Sequence, residues 1–199
     1  MPLKDPYLRE TPSQTAGPYV HIGLVPAQAG FDIFEKNFSN RVEGEGPRIR
    51  ITGKVLDGLG APITDVLLES WQADADGRFD NPAFRGWARA ASAFDTGEWT
   101  IETVRPGAAP NSDGTMLAPQ IGLWIVARGI NIGLSTRLYF PEHAEANTAD
   151  PVFSRVPPHR RETLLARPKG DGNGALGGVQ DYRFDIVVQG EGETVFFDA

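Results

Sequence analysis

Turn signals interrupt this chain at short intervals, and a fold built on long helices cannot survive that. Asp57-Gly58, Asp74–Gly77, Arg105-Pro106-Gly107 and Asn111–Gly114 each place Gly, Pro, Asp or Asn where a backbone can reverse. Between them run short segments with a period of two. Arg48 to Leu56 and Glu98 to Val104 alternate apolar and polar residues, the pattern of a strand with one buried face. Ile63–Ala73, Met116–Gly129, Ser135–Phe140, Tyr182–Gly190 and Glu193–Ala199 read as further strands. The 23 glycines and 16 prolines among 199 residues suit such a chain. The expected fold is all-β: an antiparallel β-sandwich with short helices and long surface loops. Short helices are expected in Pro141–Asn147 and Pro157–Arg167, where Pro stands at the start. Lys169–Gly178 reads as a surface loop. No repeat or long linker divides the chain, so one domain is expected over 1–199, with an N-terminal arm over about 1–47 and the sandwich over about 48–199.

Charge and composition narrow the function classes. A net charge of −7 argues against a nucleic-acid partner, which would want a basic face. The absence of cysteine removes disulfides, thiolate metal sites and Cys nucleophiles. The N-terminal stretch is polar and charged with no apolar core, and the apolar run Leu123–Ala127 is far too short to span a bilayer. A cytoplasmic location is the expectation.

Few residues offer chemistry. The histidines are His21, His143 and His159, with no His-x-His pair. Tyr19 and His21 would share a face only if their segment is extended, and two groups alone make a poor metal site. No Gly-x-Ser-x-Gly elbow or phosphate cradle is present. Asp74–Asp80 faintly resembles a calcium loop but lacks the distal Glu, and turn chemistry explains it better. Arg128 follows the apolar strand. It reads either as a strand-end Arg with its stem on apolar surface or as a bidentate clamp for a carboxylate. Within that strand Gln120 and Gly122 point to one face, an amide beside an absent side chain in an otherwise apolar run.

Five stretches together resemble the intradiol ring-cleavage dioxygenases: "ETPSQTAGPYVHIGL" from Glu10, "LESWQADADG" from Leu68, "DTGEWTIETVRPG" from Asp95, "ARGINIGLSTRLYF" from Ala127, and "YRFDIVVQGEGETVFFD" from Tyr182. The resemblance covers Glu10 to Asp198. It implies a β-sandwich and, in the catalytic chain, a non-haem Fe(III) held by two tyrosines and two histidines, hard donors for a hard ion. Carried onto this sequence, one tyrosine falls on Ala109 and the His-x-His pair on Gln120 and Gly122. The other tyrosine should lie between Trp71 and Glu98, where no Tyr occurs. No metal site is therefore expected in this chain.

Within the family, the resemblance is to a non-iron subunit whose homologous beta subunit holds the Fe(III). It implies intradiol cleavage of 3,4-dihydroxybenzoate by O2 at a pocket to which this chain adds Thr15, Ala16 and Gly17, from the Gln14–Tyr19 segment, and Arg128. Tyr19 and His21 then read as structural or interface residues, and no residue is expected to be catalytic in this chain alone. Two alternatives are a catalytically inactive sandwich that binds an aromatic acid or a protein partner on its own, and a self-sufficient enzyme using another metal through His21.

Overall fold

The computed structural model describes residues 15–17, 19–27, 30–31, 39–170 and 178–198. Among them are eleven strands. In chain order these are β1 (Arg48–Leu56), β2 (Leu67–Trp71), β3 (Trp87–Ala91), β4 (Glu98–Val104), β5 (Ala109–Pro110), β6 (Met116–Leu117), β7 (Gln120–Val126), β8 (Leu134–Tyr139), β9 (Arg167–Pro168), β10 (Gln180–Arg183) and β11 (Ile186–Val187). Gln14, Pro18 and most of the Lys169–Gly178 loop lie outside the described residues.

Two sheets carry the fold. In one, β4 pairs antiparallel with β1 along the whole length of β4, Arg48 opposite Val104 and Lys54 opposite Glu98. β10 and then β11 pair with β1 in parallel, Ile49 opposite Gln180 and Val55 opposite Ile186. This sheet is therefore mixed, where the strand alternation alone suggested antiparallel pairing throughout. The other sheet, ordered β3-β2-β7-β8, is antiparallel. The alternation works as the sequence implied. Ile49 and Ile51 of the first sheet, with Trp99 and Ile101 beside them, meet Leu68, Ile121, Leu123, Ile125 and Leu138 of the second in one buried cluster. Each such aliphatic side chain contributes about 1.5–3 kcal/mol by leaving water.

Three expectations need correction. Strand β3 carries mostly alanine and gives little alternating signal, so the sequence did not mark it. The tail from Glu193 is not a strand: its only pairing among the described residues is the isolated bridge between Phe197 and Ser135. The third concerns the N-terminus, where Tyr19–Leu24 forms a short helix, α1. The extended geometry that would have put Tyr19 and His21 on one face is absent, since residues two apart on a helix do not face each other. The two helical segments read from sequence are present. Pro141–His143 is a 3-10 turn leading into α2 (Ala144–Ala149), and Pro158–Leu164 is a 3-10 helix.

The Asp74–Gly77 turn is closed by its own carboxylate. Asp74 accepts the backbone N–H of Asp76 at 3.0 Å and of Arg78 at 2.8 Å, and the Asn81 amide at 2.7 Å. This consumes the carboxylate in turn chemistry. Gly77 adopts φ +81°, and a Cβ there would stand 1.8 Å from the Ala108 carbonyl oxygen. A side chain at 77 would push the turn off the segment that leads into β5. Burial pushes the Asp74 carboxyl up, but the hydrogen bonds from Arg78 and Asn81 and the Arg78 charge outweigh it and hold the group below its ordinary 3.8. A depressed carboxyl stabilises the fold above pH 3.8, and that contribution is lost as pH falls through the folded-state value. The melting temperature of the wild type should therefore fall more steeply below about pH 4 than that of Asp74→Asn. Parallel profiles in a pH series of thermal melts would count against this role.

Candidate functional site

The positions singled out from sequence fall into two groups at opposite ends of β7. At its C-terminal end, the chain leaves the sheet through Ala127, Arg128 and Gly129. Thr15 docks there: its hydroxyl accepts the Gly129 N–H at 2.6 Å and faces the Ala127 carbonyl oxygen at 3.5 Å. The described residues of the N-terminal segment at Thr15 are thus brought beside Arg128. Ala16 is half-buried and Gly17 is exposed, with nothing within 4 Å of where a Cβ would stand. The Arg128 side chain is 66% exposed and ion-paired with Asp65. Tyr19 is exposed; the His21 side chain lies outside the described part.

At the other end, Gln120 and Gly122 lie on the half-exposed outer face of β7 while Ile121 and Leu123 point into the core. Register sets Gln120 opposite Tyr139 and Gly122 between Trp71 and Arg137. Ala109 is buried in the small β5-β6 hairpin, which runs into β7 through Ala118-Pro119. Six residues of extended chain separate Gly122 from Arg128, roughly 20 Å. Arg128 therefore cannot serve the Gln120–Gly122 position of its own chain.

The donors at Ala109, Gln120 and Gly122 do not fit a ferric ion. A methyl and a hydrogen offer nothing, and the Gln120 carbonyl oxygen is buried without a hydrogen-bond partner. Tyr139 was not singled out from sequence, yet register places it beside Gln120. It is no tyrosinate. Burial pushes its hydroxyl well above the ordinary range, the neighbouring Asp150 charge adds to this, and it faces the Asp150 carboxylate at 3.2 Å as a donor. Among the described residues no group of three His, Cys, Asp or Glu side chains could hold a metal.

A second feature missed from sequence is Arg137. Its Nη1 is buried with no hydrogen-bond partner, and it borders a cleft of about 310 Å³ with Trp71, Trp87, Gly122, Trp124 and Phe197. The alternation of Ser135, Arg137 and Tyr139 in β8 was the available signal, but it does not say what stands opposite.

Comparison with known proteins fits this geometry into a lineage. The profile of a family described as dioxygenase matches residues 27–190. The protocatechuate 3,4-dioxygenase alpha chain of Pseudomonas putida is 48% identical over 208 residues, with both chains covered in full. The chain belongs to the intradiol dioxygenase family. The beta chain of protocatechuate 3,4-dioxygenase from Burkholderia cepacia is 32% identical over 171 residues, covering 80% of this chain and 72% of that one. Among solved structures, the dioxygenase domain of a dioxygenase carbohydrate-binding fusion from Streptomyces sp. SirexAA-E superposes with a TM-score of 0.59 at 24% identity, covering 94% of this chain and 100% of that one. This last likeness concerns the fold. As an intradiol dioxygenase, the chain has the family's sandwich and poor iron-binding chemistry at the positions where the resemblance put the ligands.

Proposed function

We propose that this chain is the non-iron alpha subunit of a protocatechuate 3,4-dioxygenase and works with a homologous beta subunit that holds the Fe(III). The observation that carries the reading is the full-length match to an alpha chain, joined to a donor set at Ala109, Gln120 and Gly122 that cannot hold the metal. The complex cleaves 3,4-dihydroxybenzoate between its hydroxylated carbons with both atoms of O2, giving 3-carboxy-cis,cis-muconate in the beta-ketoadipate route of aromatic catabolism. The enzyme acts in the cytoplasm. Among the described residues no helix is long and apolar enough to cross a membrane.

The chain's own part is binding and walling. Arg128, on a protein of net charge −7, supplies a local cation and a planar fork for the substrate carboxylate. Thr15 ties the N-terminal segment to the same rim, so Ala16 and Gly17 are presented beside the guanidinium. Gly17 lets backbone approach a flat ring closely. The distance of Arg128 from its own chain's Gln120 and Gly122 supports its service to a neighbouring chain's pocket.

Metal analysis and activity of this chain, alone and co-expressed with the beta subunit, test the proposal. The pair should carry stoichiometric iron, show a red-brown colour and cleave protocatechuate; the single chain should be colourless and inactive. Stoichiometric iron and turnover in the single chain would overturn it.

A further inference from the structure

Among the described residues Asp65 is the one carboxylate bonded to Arg128, and it takes a single nitrogen. Arg128 Nε donates to Asp65 Oδ2, while Nη1 and Nη2 make no hydrogen bond with any described residue. A guanidinium holds five N–H donors in a fixed fork, so its two terminal nitrogens are left for a second carboxylate.

Both ends of the pair are tied to buried backbone. Asp65 precedes Val66, whose amide donates to Ser92 Oγ at 3.0 Å and whose carbonyl accepts the Ser92 N–H at 3.0 Å; Val66 and Ser92 are 0% exposed. Arg128 stands between Ala127, which is buried, and Gly129, whose N–H is held by the Thr15 hydroxyl. The Asp65 side chain is 16% exposed against 66% for Arg128. The cation reaches into solvent, while its counter-ion stays mostly covered and is screened less by salt.

The pair matters through its charge. It makes the rim neutral before any ligand arrives. A first carboxylate on Nη1 and Nη2 shares the single positive charge with Asp65, and each further anionic group on the same ligand is repelled by Asp65. The reaction proposed above changes the ligand in that direction. 3,4-Dihydroxybenzoate enters as a monoanion. Both atoms of O2 are added, the bond between the hydroxylated carbons breaks, two protons leave, and the product is a tricarboxylate.

We propose that Asp65 sets the charge specificity of the Arg128 rim: it admits one carboxylate and disfavours a polyanion, so that substrate is held and product is let go. This rests on the reading of Arg128 as the partner of the substrate carboxylate. Asp65 acts through Arg128 and through its own field, as a specificity residue and not a catalytic one.

The test uses the complex of this chain with the beta subunit. Inhibition of protocatechuate cleavage is measured with two probes: 3-carboxy-cis,cis-muconate as the trianion, and 4-hydroxybenzoate as a monoanion that lacks the second hydroxyl and is not cleaved. In Asp65→Asn the ratio of the trianion Ki to the monoanion Ki should fall roughly three- to tenfold at low ionic strength, and the fall should shrink in about 0.5 M salt. Asp65→Glu keeps the charge and should keep the wild-type ratio. Asp65→Ser, neutral and smaller, should repeat the asparagine result and replaces that variant if it does not fold. A wild-type ratio in the neutral variants, or an equal fall in Asp65→Glu, would overturn the inference. Arg128→Ala separates it from the reading it rests on. A raised KM for protocatechuate in Arg128→Ala, with an unchanged ratio in Asp65→Asn, removes the role of Asp65 alone; an unchanged KM in Arg128→Ala removes both.

Discussion

Replacing Asp150 by alanine should lower the melting temperature of this chain by roughly 6–12 °C, from a loss of about 3 kcal/mol. Asp150 is 0% exposed, and its carboxylate is the meeting point of four donors. It accepts the backbone N–H of Ala118 at 2.9 Å, of Val152 at 2.8 Å and of Phe153 at 2.8 Å, and the Tyr139 hydroxyl at 3.2 Å. Truncation leaves all four without an acceptor in a place water does not reach, and each orphaned donor costs about 1–3 kcal/mol when nothing relaxes. The carboxylate also fastens three pieces of chain: the entry to β7 at Ala118, the end of β8 at Tyr139, and the 3-10 turn at Phe153. Asp150→Asn should lie between the two, because its oxygen still accepts while its NH2 faces other donors. Thermal melts of the three proteins decide the matter, and an alanine variant melting within 2 °C or so of wild type would remove this account.

Arg128→Ala should do the opposite: nearly nothing to stability and much to substrate binding. The pair with Asp65 is a surface ion pair, the Arg side chain being 66% exposed, and such pairs contribute about 0–1 kcal/mol. A hydrogen-bonded guanidinium–carboxylate contact with substrate is stronger, about 1.5–3 kcal/mol, so KM for protocatechuate in the complex should rise roughly 10- to 150-fold. Catechol, which lacks the carboxylate, should lose far less. Asp65→Asn releases the guanidinium from its partner and should leave KM unchanged or lower. Steady-state kinetics with both substrates separate the readings, and equal losses for protocatechuate and catechol would leave Arg128 a structural residue.

The sequence announced its strands where one face is buried and the other wet. β1, β4 and β7 alternate cleanly because each lies with one side against the common core, and all three were legible. β3 was not, since Ala88, Ala90 and Ala91 carry no contrast between faces. Parallel pairing of β1 with β10 and β11 was also invisible, because alternation records burial and not the direction of the neighbouring strand. The site divides in the same way. Gln120 and Gly122 were legible as an odd pair within an apolar run, and they lie on the half-exposed outer face of β7, while the docking of Thr15 on Gly129 beside Arg128 had no signal in the pattern of residues. Arg137 and Tyr139 were not legible as site residues. What makes them notable is the register that sets them across from Gly122 and Gln120, and register belongs to the assembled sheet.

The pairing of β1 also governs the order in which this protein can be made. Residue 49 leaves the ribosome long before residue 180, its parallel partner, and β4 can close only one edge of β1 in the meantime. The other edge waits, with unpaired N–H and C=O groups and half of an apolar face, until the last strands are synthesised. Contacts this far apart in sequence make folding slow. The nascent chain therefore carries an open edge for most of its synthesis, and loss of the C-terminal strands would leave that edge open for good, a template for aggregation.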